Sequence, residues 1–468
     1  MDLKDKIYKR IESYLPHKAK EKSNHGEVFT PVPMIDQMYD NFPPSVLKSP
    51  TFTWLDPATG IGNFMIILYF RLMETLKSVI PGEKARSKHI IEKMLFMAEI
   101  NKENVKTCRA IFNELCPAAT PNIFEGDFLE FYQENERNHG RRFNCIVGNP
   151  PYNIGGTGLE GKKRTHVLFT EKGLDLLAPA GYLAYICPPS YRELGSRMNK
   201  LFQDRGGHFV YIKIYGANET FRLFRIQARV DTFIYQNTNP THTTTIDDEY
   251  DVVTKNIHVD LSRHLPNFGY TIFNKLAAKV NTLGAVKAFR NTELSTVKAN
   301  SFGCGGRHKL LHLIVADGKR VYKVPKAHEL ETTKKLLING LGIPYVYYDK
   351  KGQYGPSQSP IIVLNPSANL VNLCQSDFFA FIAWGLRLTG NNNLPYLFEY
   401  VPDVSSEKNP YKSMADIQRG FNLTNAEVDF IGQHFHRYEY KDVDKVEKCV
   451  AKTRTARQSR VSKTMKNK

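Results

Sequence analysis

The chain has 468 residues, 41% hydrophobic and 12% aromatic, which excludes a mini-protein and argues against wholesale disorder. At roughly 150 residues per domain it holds about two to four domains. Lys and Arg number 64 against 47 acids, a formal charge of +17, so an acidic partner is expected, nucleic acid first and an anionic membrane surface second. Seven cysteines are spread from Cys108 to Cys449 without a Cys-x-x-Cys pair, which points to reduced intracellular thiols and away from structural zinc. No apolar run reaches about 18 residues, and the start Met-Asp-Leu-Lys-Asp-Lys is too charged for a secretory signal. A cytoplasmic protein (nuclear, were it eukaryotic) with no membrane partner is expected.

Residues 1–25 are polar and basic and predict a short helical extension. From residue 51 strand and helix patterns alternate. Strands are expected at 51–55 running into Asp56, at 94–98 running into Glu99, at 122–124 leading to Asp127, and at 143–147 running into Asn149. Further strands are expected at 182–186, 210–214 and 232–235. Residues 63–77 are apolar nearly all round and predict a buried helix, and 166–177 predict another. A basic stretch at 84–93 predicts an additional helical excursion between Asp56 and Glu99. The pattern is α/β, an open and mainly parallel sheet covered by helices. Residues 237–245, made of Asn, Thr, Pro and His, predict a linker. A second, mixed domain is expected over 245–436, with its fold not legible, and a basic tail over 437–468. Residues 448–468 carry eight Lys or Arg and no acid, and are expected to stay disordered until something acidic binds them.

In open α/β sheets ligands sit beyond the carboxyl ends of the strands. The first strand runs into Asp56-Pro57-Ala58-Thr59-Gly60-Ile61-Gly62-Asn63-Phe64, where the two glycines permit a tight turn and close backbone approach. Met65 stands where a dinucleotide fingerprint would have its third glycine, so no pyrophosphate cradle is indicated. Glu99, at the second strand's end, can accept from both hydroxyls of a ribose. Asp127 can accept from the exocyclic amine of an adenine, with Phe128 packing on the ring. The most specific signal is Asn149-Pro150-Pro151-Tyr152. Its prolines fix φ and remove backbone donors. The Asn149 amide oxygen and the Pro150 carbonyl can both face a pocket as acceptors, and Tyr152 offers a flat face for stacking. That set suits a planar base held by its amino group. A glycine-rich segment follows, ending in Lys162, Lys163 and Arg164, and is expected either to order on DNA phosphates or to be a plain flexible connector.

These residues resemble the gamma-class DNA amino-methyltransferases, which use S-adenosyl-L-methionine and modify adenine at N6. Gly26-Glu27-Val28-Phe29-Thr30-Pro31 is similar to their motif X, and Asp56 to Phe64 to motif I, although Cys or Gly more often stands at the Thr59 position. Glu99 matches the acid of motif II, Asp127 that of motif III, and Asn149 to Tyr152 motif IV. Gly181 to Ser190 is similar to their later strand and loop. The resemblance covers residues 26 to about 236 and implies a Rossmann-like methyltransferase domain over 26–240, followed by an α+β target-recognition domain. It implies that Phe29, Thr30, Pro31, Asp56, Pro57, Ala58, Thr59, Gly60, Gly62, Asn63, Glu99, Ile100, Asp127 and Phe128 hold S-adenosyl-L-methionine. Asn149, Pro150, Pro151 and Tyr152 would be catalytic, acting on an adenine flipped out of double-stranded DNA.

Several alternatives stay open. N4-cytosine transfer is one. RNA and protein-glutamine methyltransferases also carry Asn-Pro-Pro-Tyr, and a catalytically dead DNA-binding module is the non-enzyme reading. A fused nuclease is not expected, since 25 residues precede motif X and no Pro-Asp…Asp/Glu-x-Lys site follows; a separate cognate restriction endonuclease remains open as a partner. A monomer is expected. In the second domain Tyr345, Tyr347, Tyr348, Lys350, Lys351 and Tyr354 form an aromatic and basic cluster. It reads either as a DNA contact, with Lys350 and Lys351 on phosphates, or as a strand with tyrosines on both faces. Cys304, His308 and His312 fall on a strand pattern, where an i, i+4 pair is no helical ligand pair, and no metal is expected.

Overall fold

The computed structural model describes residues 3–14, 30–130, 141–154, 163–224, 229–238, 243–291, 305–388 and 393–447; for 14, 153, 154, 163 and 164 it describes the backbone alone. The chain divides into two compact units, Met1–Tyr270 and Thr271–Lys468.

In the first unit the strands are β1 Trp54–Asp56, β2 Leu95–Glu99, β3 Asn122–Glu125, β4 Phe143–Gly148, β5 Leu177–Cys187, β6 His208–Tyr215, β7 Val230–Gln236, β8 Thr244–Asp247 and β9 Val253–Ile257. They form one nine-stranded sheet in the order β9-β8-β6-β7-β5-β4-β1-β2-β3. Strands β3 to β5 along this order are all parallel. β7 runs antiparallel between β5 and β6, β8 is parallel to β6, and β9 closes the edge antiparallel. The order reverses between β1 and β4, so the crevice at their carboxyl ends is the switch point where ligands bind in such sheets.

The helices are α1 Leu3–Tyr14, α2 Val32–Asp40, α3 Asn63–Thr75, α4 Lys102–Leu115, α5 Thr165–Leu176, α6 Arg197–Arg205 and α7 Ala217–Phe224. They cover both faces, so β1 and β2 are buried at every position. Alternation sends Trp54, Cys145 and Val147 into one core with Met38, Met65 and Ile111. It sends Leu55 and Ile146 into the other with Phe169, Leu183 and Phe233. The excursion expected at 84–93 is a helix, Glu83–His89, followed by a π-helical turn, Ile90–Met94. None of the helices among the described residues is long and apolar enough to cross a membrane.

The linker expected at 237–245 is corrected. Thr244–Asp247 is strand β8, paired with β6 through Thr245↔Tyr211 and Ile246↔Ile212. Polar composition suggested a tether, but β-branched threonines suit a pleated strand and the fully buried Ile246 anchors it. The boundary accordingly falls at Tyr270 rather than near 245.

The second unit is mixed α+β. One sheet orders β10 Phe289–Arg290, β16 Ile361–Leu364, β13 Lys335–Ile338 and β14 Val346–Asp349. The other orders β15 Gly355–Pro356, β11 His308–Val315, β12 Gly318–Val324 and β17 Asp444–Val446. Helices α8 Tyr270–Leu283, α9 Ala368–Cys374, α10 Asp377–Gly385, α11 Met414–Phe421 and α12 Asn425–His434 accompany them. Tyr345, Tyr347 and Tyr354 are buried in a core with Leu311, Ile314, Leu337 and Ile362. The groove-reading alternative for these tyrosines is therefore corrected in favour of packing. Lys350 and Lys351 stand exposed at the turn after β14. His308 Nδ1 meets a Glu331 carboxylate oxygen at 2.8 Å, and His312 Nδ1 meets Ser357 Oγ at 3.0 Å. Cys304 and the tail from residue 448 lie outside the described residues.

Candidate active site

The carboxyl ends of β1, β2, β3 and β4 bring the expected residues to one edge of the first unit. Asp56, the last residue of β1, is fully buried. Its Oδ1 accepts from the Ala58 amide at 3.1 Å. Burial pushes its carboxyl up to about 7, and nearby Glu99 adds to the rise, against the pull of the Ala58 amide. Gly60 and Gly62 adopt φ of +57° and +101°. Gly62 opens α3, where a Cβ would meet Cys108 Sγ at 2.9 Å. Glycine is required there by both conformation and space.

The turn is fastened to the next strand. Gly60 N–H donates to Glu99 Oε2 at 2.7 Å, Asn101 N–H to Glu99 Oε1 at 2.8 Å, and Thr59 N–H to the Ala98 carbonyl at 3.0 Å. A carboxylate oxygen has two acceptor sites, so Glu99 can take a ribose hydroxyl as well. Ile100 beside it is 61% exposed. Asp127 is half-buried, and its Oδ1 accepts from the Leu129 amide at 2.9 Å. Phe128 differs from expectation. It is 2% exposed and packs on Phe169 at 5.1 Å between centroids, so its ring is part of the core rather than an open platform.

At the end of β4, Gly148 lies so close to β1 that a Cβ there would stand 2.8 Å from Asp56 Oδ1. Asn149 follows, and its Nδ2 donates to Thr30 Oγ1 at 3.0 Å across 119 residues. Thr30 is buried, and Pro31 precedes α2, whose first turn its carbonyl caps. Pro150 is buried, and Tyr152 is half-buried with its hydroxyl buried. Burial raises that phenol well above its ordinary range. Backbone pairing joins Asn153 to Arg164 and Ile154 to Lys163. Phe29, Lys162 and the side chains of Lys163 and Arg164 lie outside the described residues.

Sequence reasoning missed three parts of this edge. Gly148 carries no motif signal of its own. His166 reaches the Tyr152 carbonyl. Tyr191 and Arg192 both bond Asp231, at the start of β7, in a fully buried cluster, and Arg192 also bonds the Pro266 carbonyl and Asn267. The Pro188-Pro189 pair before Ser190 was the available hint that a rigid turn stood there.

Two buried acceptors in the crevice, Asp56 Oδ2 and Asn63 Oδ1, have no hydrogen-bond partner among the described residues. With the glycine turn and the Glu99 carboxylate, this donor and acceptor set fits a nucleoside cofactor carrying a cationic amino-acid end.

Sheet order, strand-end residues and a family match over part of the chain together support a DNA adenine methyltransferase, similar to those of restriction-modification systems. The match is to the Eco57I restriction-modification methylase family, over residues 68–206. The chain is also similar to an adenine-specific methylase, itself uncharacterised, of Mycoplasma pneumoniae (strain ATCC 29342 / M129 / Subtype 1). Identity is 24% over 313 residues, covering 51% of this chain and 74% of that one. Among solved structures, the Type IIL restriction-modification enzyme MmeI in complex with DNA is 11% identical and covers 89% of this chain and 76% of that one, with a TM-score of 0.49. The Type ISP enzyme LlaGI, solved as a nuclease-deletion mutant with a DNA substrate mimic, is 14% identical over 72% of this chain, with a TM-score of 0.45. This chain spans 42% of that relative's length.

Proposed function

We propose that the chain transfers a methyl group from S-adenosyl-L-methionine to the N6 amino group of adenine in double-stranded DNA. The observation that carries this reading is the Asn149 amide. Thr30 takes its nitrogen, which presents the oxygen as an acceptor at the end of β4, beside the Asp56 carboxyl end of β1. When bound, the cofactor supplies a methyl group already activated by its sulfonium. Asp56, Asn63 and Glu99 would hold its polar groups, with Asp127 accepting from the adenine amine and Ile100 lying against the ring. The adenine amino lone pair of the substrate is delocalised into its ring, so N6 is a poor nucleophile. Asn149 Oδ1 and the Pro150 carbonyl accept its two hydrogens and favour the more tetrahedral, more nucleophilic nitrogen. No covalent intermediate is required, and positioning with electrostatics does most of the catalysis. The base must leave the duplex to reach this turn, and Tyr152 packs beside it.

The second unit serves as the target-recognition domain in this reading. Lys162, Lys163, Arg164, Lys350 and Lys351 would contact phosphates, which position a duplex without choosing its sequence. Methylation-sensitive sequencing of DNA from cells that express the chain tests the proposal. N6-methyladenine in one recurring context is expected; N4-methylcytosine, or no new modification, would overturn it.

A further inference from the structure

Pro150 and Pro151 donate no backbone hydrogen bonds, so the catalytic turn depends on other groups to hold its shape. His166, in the first turn of α5, is 3% exposed and does this from fourteen residues further along the chain. Its Nδ1 lies 3.1 Å from the Tyr152 carbonyl oxygen, and its Nε2 lies 3.0 Å from Ser190 Oγ. A carbonyl only accepts, so Nδ1 donates to Tyr152, while Ser190 Oγ, which also donates to Met198 Sδ at 3.2 Å, is the partner of Nε2. The imidazole also meets the Tyr152 ring edge-on, 6.3 Å between centroids at 80°. Ser190 is a firm anchor, because the next two residues, Tyr191 and Arg192, are locked to the buried Asp231. The backbone that follows Tyr152 pairs Asn153 with Arg164 and Ile154 with Lys163.

We propose that His166 is a positioning residue for methyl transfer. By fixing the Tyr152 carbonyl it sets the Pro150 carbonyl and the Asn149 amide. The inference rests on the methyltransferase reading above.

The test compares two substitutions in the full chain. His166→Asn places an amide nitrogen where Nδ1 stands, keeping the Tyr152 contact and losing Ser190. His166→Gln reaches the Nε2 position, keeping Ser190 and losing Tyr152. Turnover is measured on DNA carrying the methylated context and expressed per cofactor site titrated by calorimetry, so unfolded molecules do not count. In His166→Gln, kcat is expected to fall on the order of a hundredfold, with cofactor Kd and KM for DNA within about twofold of wild type. His166→Asn is expected to keep most of the turnover. Should the Gln variant fail to fold, His166→Ala takes its place with the same expectation. Equal losses in both variants, or full turnover in His166→Gln, would overturn the proposal. A wild-type chain that binds cofactor and methylates no DNA would instead overturn the function it rests on.

Discussion

Asn149 and Asp56 are the two side chains whose surroundings decide most at the site. Asn149 donates its amide nitrogen to Thr30, and its oxygen is the acceptor in the proposed reaction. Replacing it with Ala removes an acceptor needed at N6 and leaves the β1 turn untouched. Methyl transfer by Asn149→Ala is expected to drop by at least about 10²–10³-fold, with cofactor affinity near wild type by calorimetry. Normal turnover would refute the role. Asp56 is a buried acid whose folded carboxyl sits at about 7, above the unfolded value near 3.9. The folded state thus holds its proton more tightly than the unfolded state. The associated stability is fully present below about pH 4 and is lost as pH rises through about 7. Asp56→Asn keeps the shape without the charge. In melts without cofactor, its Tm relative to wild type should climb between pH 5 and pH 7.5, while cofactor binding weakens; parallel curves would show that the acid is not strained. The positions of Asp56, Glu99 and Asn149 were legible because the apolar runs before them fix where each strand ends. The placement of Phe128 was not, since an aromatic beside an acid reads the same whether it faces a ligand or Phe169.

Elements were legible wherever period and length agreed. Strand β4 and helices α3 and α5 lie where apolar runs placed them, with ends moved by a residue or two. β5 starts earlier than the 182–186 pattern: Leu177 pairs with Phe143, then Ala178 to Gly181, with Ala180 at φ +55°, interrupt the register before pairing resumes at Tyr182. The loop after β5 was legible only as a proline pair. Its strength lies in a tertiary ion pair: Arg192 Nε stands 2.7 Å from Asp231 Oδ2, both side chains at 0% exposure. Removing one partner strands a buried charge. Arg192→Met should destabilise the fold by about 3–5 kcal/mol in urea melts, and adding Asp231→Leu should recover part of that loss. A double variant no better than the single one would show that the pair is not what holds the loop.

At the scale of the whole molecule, the +17 charge pointed to an acidic partner and said nothing of which surface meets it. The second unit's fold was not legible because its strands are short and its tyrosines pack inward, so neither period nor exposure could be read from composition. Residues 448–468 carry +8 of the charge and no recognisable base-reading element. Deleting them should weaken DNA binding uniformly across sequences and flatten its salt dependence, leaving the methylated context unchanged. A changed context on sequencing would assign the segment a part in specificity.

The Glu99 carboxylate accepts from the amides of Gly60 and Asn101, which ties the turn after β1 to the end of β2. A turn tied by the protein's own groups is expected to need little further ordering when a nucleoside arrives. Cofactor association, followed by stopped-flow fluorescence, should be a single phase with a rate linear in concentration. A rate that saturates would mean that the turn opens before it binds.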